Sequence, residues 1–194
     1  KVTLVDTVME PFTEEMVEKI RCVAAPEKID HIIINHGEMD HSGALPALIE
    51  LCPKAKIFGT AKCRETLERH YGRELNFTAV KSGDRLDLGK RRLTFIEAAM
   101  LHWPDTMFSY LSPEGILFSN DVFGQHYASS GRFDDEVDNS VLLDETAKYY
   151  ANIMWPYASV MKSKIEEILK MNIPLNMIAP SHGVLWRNNP MRAV

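Results

Sequence analysis

Six consecutive residues, His36 to His41, carry four candidate metal ligands just after the apolar run Ile32 to Ile34. The apolar run predicts a buried strand, which would hold the segment on a rigid base. In an extended backbone alternate side chains point to one side, so His36, Glu38 and Asp40 are expected to converge on one point. His41 would then begin the next turn of the chain. The segment therefore predicts a metal site at the end of a strand.

The carboxylate in the middle of this segment indicates which metal the site prefers. Glu38 offers a hard, anionic oxygen at a position where a zinc site more often has a second imidazole. Carboxylates stabilise the ferric state through their charge and imidazoles are neutral, so a mixed set suits iron that changes its oxidation state. Zinc does not change its oxidation state. We therefore predict an iron site.

Three later segments add one candidate ligand each. His102 lies in Leu101 to Asp105, Asp121 in Phe118 to Gly124, and His182 in Pro180 to Gly183. Alone, each of these residues is explained as a loop residue or a turn former. The four segments in this order resemble the flavodiiron proteins, a branch of the metallo-β-lactamase fold, and the resemblance covers nearly the whole chain. In hydrolases of that fold the first segment resembles H-x-H-x-D-H, so Glu38 is the residue that distinguishes the flavodiiron proteins from the hydrolases.

The resemblance implies a set of ligands for two iron ions. The first ion would be held by His36, Glu38, His102 and Asp121. The second ion would be held by Asp40, Asp121 and His182. Asp121 would bridge the two ions, and His41 is a further expected ligand whose place water can take. His126 is a candidate for a supporting role beside the ligands, and Asp6 is expected to orient a ligand loop through backbone amides.

The resemblance also implies an activity and its partners. The activity would be reduction of dioxygen to water, of nitric oxide to nitrous oxide, or of both, at a di-iron centre. FMN would deliver the electrons from a flavodoxin-like domain after residue 194, supplied by rubredoxin or a similar donor, in a head-to-tail homodimer. Two alternatives stay open: a thioesterase- or lactonase-type hydrolase using a metal-bound hydroxide, and a non-catalytic di-iron gas sensor.

Composition limits the class of protein. With 194 residues, 45% of them hydrophobic and 25% charged, the chain is expected to form one globular domain. A net charge of -5, without a basic cluster, argues against nucleic acid as a partner. Three scattered cysteines predict neither disulfides nor a thiolate site and favour the cytoplasm. No apolar stretch reaches the roughly 18 residues that would span a membrane.

Alternating strand and helix signals in the first part predict an α/β chain folded as an αββα sandwich, with every candidate ligand at a strand end. This domain would occupy residues 1–194 as a fragment that lacks the first strands of the fold. A helix is expected to begin after an N-cap at Thr13, and Gly43 to Leu51 is expected to form a short helix with Pro46 in its first turn. Further predicted elements are strands at Val2 to Val5 and Lys56 to Gly59, a helix at Ala61 to Tyr71 closed by Gly72, antiparallel strands at Phe77 to Val80 and Leu93 to Ala98, a hairpin from Met107 to Ser119, helices around Leu142 to Ile153 and Val160 to Met171, and a strand at Leu175 to Ala179.

Overall fold

The chain folds into two β-sheets that stack face to face. The computed structural model describes all of residues 1–194. The strands of the first sheet run parallel in the order β1-β2-β3-β4. They are β1 (Val2–Val5), β2 (Ile29–Ile33), β3 (Lys56–Gly59) and β4 (Phe77–Ala79). Parallel neighbours need a crossover between them. The crossovers contain helices α1 (Thr13–Arg21), α2 (Met39–Ser42), α3 (Leu45–Leu51) and α4 (Ala61–Tyr71).

The second sheet is mostly antiparallel. Its strands, in the order of the sheet, are β5 (Arg85–Asp87), β6 (Arg92–Glu97), β7 (Met107–Ser112), β8 (Ile116–Asn120) and β9 (Met177–Pro180). Strands β8 and β9 pair in parallel because α5 (Asn139–Tyr149) and α6 (Ala158–Lys170) return the chain between them. The predicted hairpin is confirmed, with Gly115 in its turn at a φ of 73°.

Three buried clusters show how the layers stack. Ile32 and Ile34 pack with residues of α3 and α4, whereas Ile33 faces Phe95 of the second sheet. This split follows from the two-residue period of a strand. On the far side, Phe108 and Leu117 of the second sheet pack against α5 and α6. The order is therefore helices, sheet, sheet, helices, and the predicted αββα sandwich is confirmed.

Several boundaries match the prediction and others do not. Strands β1 and β3 and helix α4 have the predicted limits, and Gly72 ends α4 at a left-handed φ of 62°. The predicted N-cap role of Thr13 was wrong, because a short 3₁₀ turn precedes α1. Thr13 is the first residue of the helix, and its hydroxyl donates to the Glu10 carbonyl oxygen at 2.6 Å.

Strand β4 also differs from the prediction. Its predicted antiparallel pairing was wrong, because α4 carries the chain back along the first sheet and β4 joins β3 in parallel. Helix α5 begins after Asp138, whose side chain accepts hydrogen bonds from two backbone N–H groups. It ends at Tyr149, and a π-helical turn, Tyr150–Met154, continues it. None of the helices is both long enough and apolar enough to cross a membrane.

Candidate metal centre

All seven predicted donors lie close together at one end of the sandwich, in loops and in the one-turn helix α2. They follow β2, β8 and β9, or lie in the connection between β6 and β7. Six of the seven form two groups, and the ligand atoms of each group lie within 4.8 Å of one another. The groups are Asp40, His41, Asp121 and His182, and His36, His102 and Asp121. Asp121 belongs to both.

Glu38 lies at the edge of the group that contains His36 and His102. Its Oε2 is 3.1 Å from His36 Nε2 and 3.7 Å from His102 Nε2. The Glu38 side chain is 37% exposed, whereas that of His36 is fully buried. Glu38 is therefore the donor of this group most open to solvent.

The expectation that His36, Glu38 and Asp40 converge on one point was wrong. The extended backbone ends at Glu38, which has φ −61° and ψ 152° and precedes the one-turn helix α2. This turn carries Asp40 and His41 to the other group. There Asp40 Oδ2 lies 3.3 Å from the Nε2 atoms of both His41 and His182.

The two carboxylate oxygens of Asp121 face different groups. Oδ1 lies 3.0 Å from His182 Nε2 and 3.3 Å from His41 Nε2, whereas Oδ2 lies 3.5 Å from His102 Nε2. Asp121 itself is buried. A carboxylate placed in this way has one oxygen available for each of two neighbouring cations.

Buried polar atoms without partners indicate that the cluster fits metal ions. Asp40 Oδ1, His41 Nε2 and Asp121 Oδ2 are buried and make no hydrogen bond, although buried polar atoms are normally paired. All three belong to the cluster. The cluster contains only nitrogen and oxygen donors, a set that suits iron and other metals of similar hardness.

The charges in the cluster point the same way. Burial opposes protonation of His41, but the neighbouring Asp121 and Asp40 carboxylates raise its pKa to about 11. Burial likewise opposes protonation of His36, and the Asp105 and Glu38 carboxylates raise its pKa to about 9. The carboxylates therefore favour positive charge at these ring nitrogens. Metal cations would supply that charge without protonation of the rings.

Two residues that the sequence prediction missed hold the donors in place. Asp105 accepts the Gly37 backbone N–H at 2.7 Å, and its other oxygen lies 3.0 Å from His36 Nδ1. The Tyr149 hydroxyl donates to Asp121 Oδ1 at 3.0 Å. Asp105 belongs to the same matched segment as His102, which is a usable signal. Tyr149 is the last residue of α5, 28 positions from Asp121, and nothing in the sequence marks it.

Asp6 contacts a backbone amide of one ligand-bearing loop, as expected, and also side chains of two further loops. Its Oδ1 accepts the Asn35 backbone N–H at 2.7 Å, and its Oδ2 lies 3.4 Å from both Asn120 Nδ2 and Ser181 Oγ. Each of these three partners immediately precedes one of the predicted donors. Asp6 therefore connects three loops of the site.

His126 is exposed and lies next to the site. Its ring centroid is 4.8 Å from that of Tyr149 and 5.8 Å from that of His182, both in edge-on contact. A supporting role for His126 stays a prediction.

Comparison with known proteins identifies the family. The model of the family described as ODP family beta lactamase matches residues 1–183. A nitric oxide reductase of Moorella thermoacetica is 50% identical over 195 residues, which cover 100% of this chain and 49% of that protein. An anaerobic nitric oxide reductase flavorubredoxin of Vibrio vulnificus is 43% identical over 196 residues, covering 100% of this chain and 40% of that protein. The chain thus spans half or less of the length of these relatives.

Solved structures agree. Rubredoxin oxygen:oxidoreductase from Desulfovibrio gigas superimposes with a TM-score of 0.93 at 43% identity, covering 95% of this chain and 46% of that one. The flavodiiron protein from Giardia intestinalis superimposes with a TM-score of 0.92 at 37% identity, covering 98% of this chain and 46% of that one. The chain therefore belongs to the family described as ODP family beta lactamase, and its resemblance to the flavodiiron proteins is confirmed.

Proposed function

We propose that residues 1–194 form the di-iron catalytic domain of a flavodiiron reductase, which reduces dioxygen to water, nitric oxide to nitrous oxide, or both. The observation that carries the proposal is the pair of nitrogen and oxygen donor groups that share Asp121. The relatives support both substrates, since they include a nitric oxide reductase and a rubredoxin oxygen:oxidoreductase.

The proposed ligands follow the two donor groups. One iron would be held by His36, Glu38, His102 and Asp121. The second iron would be held by Asp40, His182 and Asp121, with His41 as an additional ligand. Iron ions bound there would supply electrons and open positions for a diatomic molecule. Glu38 argues against the hydrolase alternative, because it replaces the imidazole that a zinc site more often has at this position.

The protein's own residues orient the ligands. Tyr149 holds Asp121 through its hydroxyl group. Burial and the charge of Asp121 raise the pKa of Tyr149 far above its ordinary value. The hydroxyl therefore keeps its proton and continues to orient the carboxylate. We propose that His126, whose exposed ring is in edge-on contact with His182, supports that ring.

Electron supply is part of the same proposal. We propose that FMN, in a flavodoxin-like domain of the complete protein, passes electrons from rubredoxin or a similar donor to the iron. The names of the flavorubredoxin and rubredoxin oxygen:oxidoreductase relatives support a donor of this type. A head-to-tail homodimer would bring the flavin of one subunit to the iron of the other. We place the protein in the cytoplasm, which fits the three free cysteines.

Metal analysis and a single-turnover experiment test the proposal together. We expect two irons per chain in the purified protein. After chemical reduction without oxygen, one addition of dioxygen or nitric oxide should oxidise the iron, with nitrous oxide formed from nitric oxide. A protein that is fully active as a hydrolase with two zinc ions would support the hydrolase alternative. Iron that binds the gas but is not oxidised, and yields no product, would support the sensor.

A further inference from the structure

We propose that Asp105 is a positioning residue that keeps the proton of His36 on Nδ1, so that Nε2 faces the metal. The inference rests on the proposed metal site and adds a residue to it. Asp105 Oδ1 lies 3.0 Å from His36 Nδ1, and neither side chain has any exposed surface. On the opposite side of the ring, Nε2 is directed toward the ligand group that contains His102 and Asp121.

The position of the proton follows from the basicity of the two groups. An imidazole binds a proton more tightly than a carboxylate, with ordinary pKa values of about 6.5 and 3.9. An ionised carboxylate is only an acceptor, so the proton between Asp105 and His36 belongs on Nδ1. A neutral ring protonated on Nδ1 has its lone pair on Nε2. Histidine ligands in metalloproteins commonly donate their second N–H group to a carboxylate in this way.

Asp105 is itself fixed in position. Its Oδ2 accepts the Gly37 backbone N–H at 2.7 Å, and its backbone carbonyl oxygen accepts the Thr60 hydroxyl at 3.0 Å. Gly37 permits the close approach, because a Cβ atom there would lie 2.7 Å from Asp105 Oδ2. The connection that carries His102 therefore also orients His36, which follows a strand of the other sheet.

The arrangement is specific to one histidine of the cluster. His36 is the histidine whose Nδ1 has a carboxylate partner, whereas Nδ1 of His41 lies 3.4 Å from the Asn120 side-chain nitrogen. The carboxylate contacts of His102 and His182 are made through Nε2. Loss of Asp105 should therefore weaken binding of the metal ion held by His36 and leave binding of the other ion unchanged.

The substitution Asp105→Asn tests this selectivity. The amide has one oxygen and one NH₂ group in place of two oxygens, so it cannot accept from both Gly37 and His36. Substitution of such partners typically costs about 10–100-fold in metal affinity. In stepwise competition of the metal-loaded protein with a chelator, we expect one of the two ions to bind 10–100-fold more weakly. Mössbauer spectra should show the remaining iron in an unchanged environment.

Asp134→Asn is a matched control. Asp134 is also buried, with 3% of its surface exposed, and it accepts backbone N–H groups from Arg187, Asn188 and Asn189. It contacts no donor of the metal centre. The control should lower the stability of the fold but leave both metal affinities unchanged. Equal metal loss in both variants, or joint loss of both ions in Asp105→Asn, would overturn the proposal.

A measurement on the unsubstituted protein covers the case in which Asp105→Asn does not fold. In zinc-loaded protein with ¹⁵N-labelled histidine, NMR should show His36 with a proton on Nδ1 and metal on Nε2. A His36 ring that binds metal through Nδ1, or has no Nδ1 proton, would refute the inference. Failure of the proposed function can be distinguished from failure of this inference. If the native protein were a zinc hydrolase, the reductase proposal would be contradicted, but the metal affinities of Asp105→Asn and Asp134→Asn would still be compared with zinc. A protein that binds neither metal would overturn both.

Discussion

The hydrogen bond from Tyr149 to Asp121 gives the sharpest prediction about the centre. Tyr149→Phe removes one hydroxyl group that donates to Asp121 Oδ1 at 3.0 Å, and both residues are buried. A hydrogen bond to a charged group contributes about 1.5–3 kcal/mol. Asp121 Oδ1 also lies near His41 and His182, and these contacts remain in the variant. We therefore expect the free energy of unfolding to fall by the low end of that range, about 1.5 kcal/mol. For a domain of this size that corresponds to a loss of about 3–6 °C in Tm.

Tyr110→Phe is the matched control for this change. Tyr110 is also buried, and its hydroxyl donates to a neutral acceptor, the Pro174 carbonyl oxygen, at 2.8 Å. Loss of that bond should cost about 0.5–1.5 kcal/mol. Both variants are measured by urea denaturation of metal-free protein and by redox titration of the iron-loaded protein.

The redox titration separates a local effect from a general one. Without the tyrosine hydroxyl, the Asp121 carboxylate is more basic and stabilises ferric iron more strongly, so Tyr149→Phe should lower the reduction potential. Tyr110→Phe should leave the potential unchanged. The reasoning would be refuted by a Tyr149→Phe protein with unchanged stability, or by equal potentials in the two variants.

Three further predictions concern single carboxylates. Glu38→His should weaken retention of iron relative to zinc and abolish reduction of dioxygen or nitric oxide; unchanged reductase activity would show that Glu38 is not a ligand. Asp121→Asn should abolish magnetic coupling between the ferric ions, since an amide offers one oxygen in place of two; intact coupling with normal metal content would reject the bridging role. Burial opposes ionisation of Asp134, but the backbone N–H groups of residues 187–189 lower its pKa. The contribution of ionised Asp134 to the free energy of unfolding should therefore be fully present above the unfolded-state pKa, about 3.9, and should be lost as the pH falls below that value. In urea denaturation of metal-free protein, Asp134→Asn should thus have a lower free energy of unfolding than the unsubstituted protein at pH 7, and this difference should shrink below about pH 4. A difference that stays constant with pH would contradict this.

Local signals in the sequence determined the elements whose ends depend on neighbouring residues. The last residue of helix α4 was predicted correctly, because a glycine readily adopts the left-handed conformation that ends a helix. Gly72 has that conformation. The donor types and their order were equally visible, because metal preference depends on the chemistry of the side chains. These features need no knowledge of distant contacts.

The tertiary structure decided how the donors divide and what supports them. Asp40 joins His182 because a helical turn begins after Glu38, a choice that the six-residue segment alone does not reveal. The direction of β4 depended on the path of α4 across the sheet. Asp105 meets His36 across 69 positions of sequence. Such a contact forms only when two loops from different sheets pack together, and the periodicity of a single segment contains no information about that packing.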